Sequence, residues 1–163
     1  MKKFTMILMA LTISALFASA EWRAATQSEM DRTGANRVFE VDYTDLTTTT
    51  TNTAQTLTVA VPAKAAVQFM LMELDTAFDT ANTNYTGSLA VIVGDGSNDD
   101  AYLTSTELAS DGTEIWKKFG PTATREKVYT VADTLDFKFT PNTEEAVSAN
   151  TSGHASFYFR VVP

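Results

Sequence analysis

Ala155-Ser156-Phe157-Tyr158-Phe159-Arg160-Val161 places an apolar side chain at every second position. A strand with that period turns one face to a core and the other to water. The same alternation recurs upstream. Phe39, Val41 and Tyr43 alternate with Glu40, Asp42 and Thr44; Leu57, Val59 and Val61 with Thr56, Thr58 and Ala60; Leu135, Phe137 and Phe139 with Asp136 and Lys138. The four phenylalanines 137, 139, 157 and 159 therefore read as core. Frequent threonine supports the same reading, because β-branched side chains suit pleated strands better than helices.

Two segments, 66–74 (AVQFMLMEL) and 89–93 (LAVIV), are apolar on both faces. They read as central strands, or as strands whose outer face meets another element or subunit. Strict alternation sets Met70 and Met72 opposite Val67, Phe69 and Leu71, as a second layer of core or a subunit contact. The Thr-rich stretch 47–53 reads as an exposed loop. Segments 76–87 and 94–100 (GDGSNDD) are rich in turn-tolerant Gly, Asn and Asp. Thr104-Ser105-Thr106-Glu107 has the form of a capping box, predicting one short helix that ends at Asp111-Gly112. The sum is an all-β protein: about seven or eight strands in a single sandwich or jelly-roll-like domain over 38–163, with one short helix.

The N-terminus differs in kind. Lys2 and Lys3 precede an apolar run over 4–17, and Ala18-Ser19-Ala20 follows. This is the pattern of a secretory signal peptide cleaved after Ala20, too short for a comfortable membrane span. The competing reading of 1–20 is a retained N-terminal helix. Residues 21–37 are polar apart from the anchors Trp22 and Met30, and read as an arm or a short helix.

The chain has 163 residues, no cysteine and a formal charge of −8, which becomes −10 if Lys2 and Lys3 are removed with the leader. Disulfides and thiolate metal sites are excluded. The acidic balance argues against a nucleic-acid surface, which needs clustered Lys and Arg. Catalytic chemistry has little to build on. His154 is the single histidine, and its place at the start of the last strand is that of an edge residue. There is no nucleophile-elbow serine, phosphate-cradling glycine loop or HExxH motif. Asp95, Asp99 and Asp100 can supply hard oxygen ligands to Ca²⁺, although their spacing departs from an EF-hand loop. No other cofactor is expected. Trp116, flanked by Lys117, Lys118 and Phe119, joins Trp22, Met70 and Met72 as a candidate interface residue. Asn84-Tyr85-Thr86 and Asn150-Thr151-Ser152 match glycosylation sequons.

Four blocks carry a resemblance. They are Val41-Asp42-Tyr43-Thr44-Asp45-Leu46; residues 91–95 running into Asp100-Ala101-Tyr102-Leu103-Thr104; Lys127-Val128-Tyr129-Thr130-Val131-Ala132-Asp133-Thr134; and a closing aromatic strand ending in Arg160-Val161-Val162-Pro163. In this order they resemble small β-rich virion proteins of tailed bacteriophages. The resemblance covers 38–163 and implies a non-enzymatic head-decoration or head-fibre role on the capsid surface. It further implies homo-oligomers whose partners are the major capsid or other virion proteins, with no nucleic acid and no membrane in the mature form. Such proteins begin just before the first strand, where Met30 stands here, and carry no signal peptide. The leader motivates a second expectation, a secreted prokaryotic surface or filament subunit. A calcium- or carbohydrate-binding module is the third.

Overall fold

Alternating side chains need a second layer to hide their apolar face, and the computed structural model shows that layer. It describes residues 21–80, 89–108, 117–119, 126–141 and 145–163. The leader, Trp116 and the sequon at Asn84 lie outside the described residues. The chain runs through β1 (Arg23–Ala24), α1 (Gln27–Thr33), β2 (Arg37–Asp42), β3 (Gln55–Val61), β4 (Ala66–Thr80), β5 (Leu89–Asp95), β6 (Asn98–Glu107), β7 (Lys117–Phe119), β8 (Glu126–Val128), β9 (Asp133–Pro141) and β10 (Asn150–Val162). One sheet has the order β1-β2-β10-β4, with β7 and β8 both paired to β4; the other is β3-β9-β5-β6. The strand pairs are antiparallel. The fold class expected from the alternation, an all-β two-layer sandwich, is what the chain adopts.

Pairing is nested about one hairpin. β5 pairs with β6, β4 with β7 and β8, β3 with β9, and β2 with β10. The two sheets meet through rings. Phe137 of one lies 4.2 Å from Phe39, 5.0 Å from Phe157 and 5.9 Å from Phe159 of the other, centroid to centroid. Phe78 approaches Phe139 at 6.4 Å and Tyr102 approaches Phe159 at 6.1 Å. Each such pair adds about 0.5–1.5 kcal/mol to the burial of its area.

Three local expectations change. Residues 104–107 are strand: Thr106 pairs with Val91 and Glu107 with Ala90 across β5–β6. The cap signal there is local, and the alternating threonines gain more from a partner strand than from one helical turn. The α-helix stands instead at α1. Thr26 accepts from the Glu29 backbone N–H while the Glu29 carboxylate accepts from the Thr26 N–H. Gly34 ends it at φ 74°. Residues 94–100 do turn, but more tightly than the length of that run suggests: Asp95 pairs with Asn98 and leaves a two-residue connection.

The third change concerns Met70 and Met72. Tyr158 pairs with Leu71 but Phe159 pairs with Phe69, so Met70 is the extra residue of a β-bulge. The bulge reverses the faces beyond it. Val67 and Phe69 point inward before it, and Met72 and Leu74 point inward after it. Met72 is fully buried between the sheets rather than opposite Val67 and Phe69. Met70 stays on the outer face, in a satellite cluster with Met30, Leu71, Ala25, Ala35, Val38 and Tyr158. Helix α1 therefore covers the outer face at that point.

Trp22 fastens the arm. Its ring meets Phe159 edge-on at 5.0 Å, and its Nε1–H donates to the Ala60 carbonyl on the opposite sheet at 3.2 Å. Met30 lies inside the structured segment and not at its start. A chain beginning at Met30 loses Trp22, β1 and the helix cap; it is expected to be about 3 kcal/mol or more less stable than one beginning at Glu21, by urea denaturation. Gly153 supplies a second check. At φ 140° its missing Cβ would fall 2.4 Å from the Phe78 ring, so Gly153→Ala should cost about 2–4 kcal/mol.

Candidate functional site

Two polar constellations stand out, one at an end of the sandwich and one on the outer face of the β2-β10-β4 sheet. The first is built on Asp95, the last residue of β5, which is fully buried. Its Oδ1 accepts from the Ser97 and Asn98 backbone N–H groups and from Ser97 Oγ, closing the β5–β6 connection. Its Oδ2 accepts from Lys127 Nζ at 2.7 Å and from the Tyr129 hydroxyl at 3.3 Å. The Tyr102 hydroxyl stands 2.8 Å from that of Tyr129 and continues the chain inward. Lys127 comes from β8, in the opposite sheet, and its ammonium lies 5.0 Å from the centre of the Tyr129 ring. The cluster thus clamps one sheet to the other. Burial pushes the Asp95 carboxyl up, but Lys127 and the Ser97 donors outweigh it and hold it down at about 2. Burial drives the two tyrosine hydroxyls upward, Tyr102 to about 12.

The other two calcium candidates lie in the first strand residues after the turn and face solvent. Asp99 is 3.3 Å from Lys138 Nζ, and Asp100 is exposed. Among the described residues no three acidic or histidine side chains converge in the manner of a metal site. Asp75 and Asp45 are engaged elsewhere, with His154 and with the Asp42 backbone N–H.

The second constellation follows the strand register. Ser156 of β10 is flanked by Glu40 on β2 and Glu73 on β4. Glu73 is buried and ion-paired to Arg32 of α1, whose guanidinium also donates to the Tyr158 hydroxyl and lies over its ring. Glu40 and Glu29 share Arg23, which holds Glu29 through a two-nitrogen fork at 2.6 and 2.8 Å. That fork, working against burial and helped by Thr26, lowers the Glu29 carboxyl to about 2; Arg23 lowers Glu40 as well. At the next outward position a second bulge, between the His154–Thr76 and Ala155–Leu74 pairs, presents Asp75 to His154. Nδ1 of His154 is 2.7 Å from the carboxylate and donates to it. This is a histidine–carboxylate pair on a sheet face. Among the described residues no hydroxyl or amine shares a hydrogen bond with the ring.

The sequence-predicted residues are thus dispersed. Trp22 is an intramolecular staple, Met72 is core, Met70 lies against α1, and Asp95 is an inter-sheet clamp. Asn150, in the second sequon, is buried with its amide donating to the Val147 carbonyl. Beyond α1 the same sheet face holds, among the described residues, a groove of about 230 Å³ lined by Ala66, Gln68, Glu126, Arg160 and Val162. Sequence reading did not single out that surface, since it exists only where β8, β4 and β10 lie side by side. No helix among the described residues is long and apolar enough to cross a membrane.

No family model and no curated protein matches the chain. Among solved structures it is similar to the capsid of Ralstonia phage GP4, at 14% identity and a TM-score of 0.44, over 85% of this chain and 90% of that one.

The pH dependence follows from the two depressed carboxyls. Both are lower in the folded chain than their ordinary values of 3.8 and 4.5. Their stabilisation is complete above those values and is lost as pH falls through about 2. Asp95→Asn should cost about 2–4 kcal/mol at neutral pH by leaving Lys127 without its counter-charge. It should also flatten the loss of stability between pH 4 and pH 2 in acid titrations followed by circular dichroism.

Proposed function

We propose that this chain is a non-enzymatic structural protein of a virion, acting on the capsid surface as a decoration or head auxiliary protein through contacts between subunits. The observation that carries the reading is the nested pairing about the β5–β6 hairpin. With β1 and β8 set aside, the sheet orders β2-β10-β4-β7 and β3-β9-β5-β6 support reading the sandwich as a jelly roll, an architecture shared by viral capsid, lectin and cupin domains. The step from that winding to a virion role is an analogy of fold. The sequence blocks at 41–46, 91–104, 127–134 and 160–163 add their resemblance to phage virion proteins. Chemistry points the same way: the buried acids are committed to holding elements together, and the space between the sheets is filled by rings.

Such a protein works by removing surface from water against its neighbours, about 1,200–2,000 Å² for a standard stable contact. Repetition over a symmetric lattice turns individually weak contacts into firm attachment. The secreted-subunit reading keeps one supporting observation, the basic and apolar pattern of 1–20 followed by Ala18-Ser19-Ala20. Mass spectrometry of purified particles separates the two. The chain should be found in particles at a copy number set by the capsid lattice; its absence from particles, with a mature N-terminus at Glu21 in the culture medium, would favour the secreted reading and sink this one.

A further inference from the structure

The open end of the outer sheet face carries two cross-strand rows. Arg160, Gln68 and Glu126 form one, because Arg160 pairs with Gln68 and Gln68 with Glu126. Val162, Ala66 and Val128 form the next. Val128 and Val162 are 61% and 46% exposed, two of the four large apolar side chains left in solvent among the described residues. Inward-facing Val67 and Val161 alternate with these rows and pack on the core, so both rows point outward. Arg160 and Glu126 sit two strands apart, about 10 Å at the usual strand spacing, with Gln68 between them. Among the described residues neither has an ion-pair partner.

We infer that this patch is a self-complementary contact between two copies of the chain, related by a two-fold axis that runs parallel to β4 in the plane between the two stacked faces, above Ala66 and Gln68. Rotation about that axis lays β10 of one copy over β8 of the other. Arg160 then meets the partner's Glu126, twice by symmetry, and Val162 meets the partner's Val128. Charge and apolar character match at every position, which is the requirement of an isologous interface. The two Arg–Glu pairs give orientation and the valines give the area removed from water. A like-to-like stacking of the same rows, Arg160 on Arg160, is repelled, so the arrangement is selective. A two-fold contact closes at two copies and leaves the remaining surfaces of each subunit free for other partners. The patch is small beside the roughly 800 Å² per partner of a standard interface, so the dimer is expected to be weak, with Kd on the order of 10 µM.

The experiment is sedimentation velocity on the whole chain from about 1 to about 100 µM, with thermal melts to verify that each variant folds. Arg160→Glu and Glu126→Arg, each alone, place like charges across the axis and should weaken association by about tenfold or more. The double exchange restores opposite charges and should return Kd to within about threefold of the original. Val128→Asp should leave a folded monomer. A wild-type chain that is monomeric throughout, single variants that associate as the wild type does, or a double exchange that stays as weak as the singles would each overturn the assignment. The outcome is independent of whether the chain is found in virions.

Discussion

Phe137 reaches from the middle of β9 into a nest of Phe39, Phe157 and Phe159, all from the facing sheet. Everything else in the fold is arranged around that contact. Rings of this size fill the gap between two sheets only if both sheets present them at the same level, and the pairing of Phe39 with Phe157 and of Phe137 with Leu57 and Val93 sets that level. Interiors packed to crystal-like density tolerate little slippage. A one-residue shift of β9 would exchange Phe137 for Asp136 or Lys138 in the core. The aromatic layer is therefore both the main source of stability and the device that fixes register.

A core occupied in this way sends polar chemistry to the periphery. Asp95 and Lys127 join the sheets at one end, Trp22 bridges them through Phe159 and Ala60, and α1 is drawn onto the outer face by Arg32–Glu73 and the Met30–Met70 cluster. The bulges at Met70 and Asp75 make this possible on a single long strand, since each changes which side chains β4 offers to which face. In consequence the outer face is divided. One part is a charged row whose members neutralise one another, one part is sheltered by the helix, and one part, among the described residues, is left with two exposed valines and with Arg160 and Glu126 outside any ion pair.

His154 is held by Asp75 with no hydroxyl hydrogen-bonded to its ring among the described residues, and the carboxylates that looked available for a cation are dispersed, Asp95 inward and Asp99 and Asp100 outward.

The amino-acid order determined the elements that depend on neighbours along the chain. The period-two runs in β2, β3, β9 and β10, the inward phenylalanines and the all-β class were legible because strand amphipathicity is written at spacing two. The Thr26–Glu29 cap is equally local but was not singled out in the sequence, where 21–37 read as an arm or a short helix; the signal at Thr104–Glu107 was, and pairing with β5 turned it into strand. Tertiary structure alone decided the rest: the bulge that sent Met72 inward, the partnership of Asp95 with Lys127 across 32 residues of chain, and the row of Val162, Ala66 and Val128. These features arise from strands distant in sequence lying side by side. No local pattern encodes them, because their energy comes from contacts that exist only after the sheets have closed on each other.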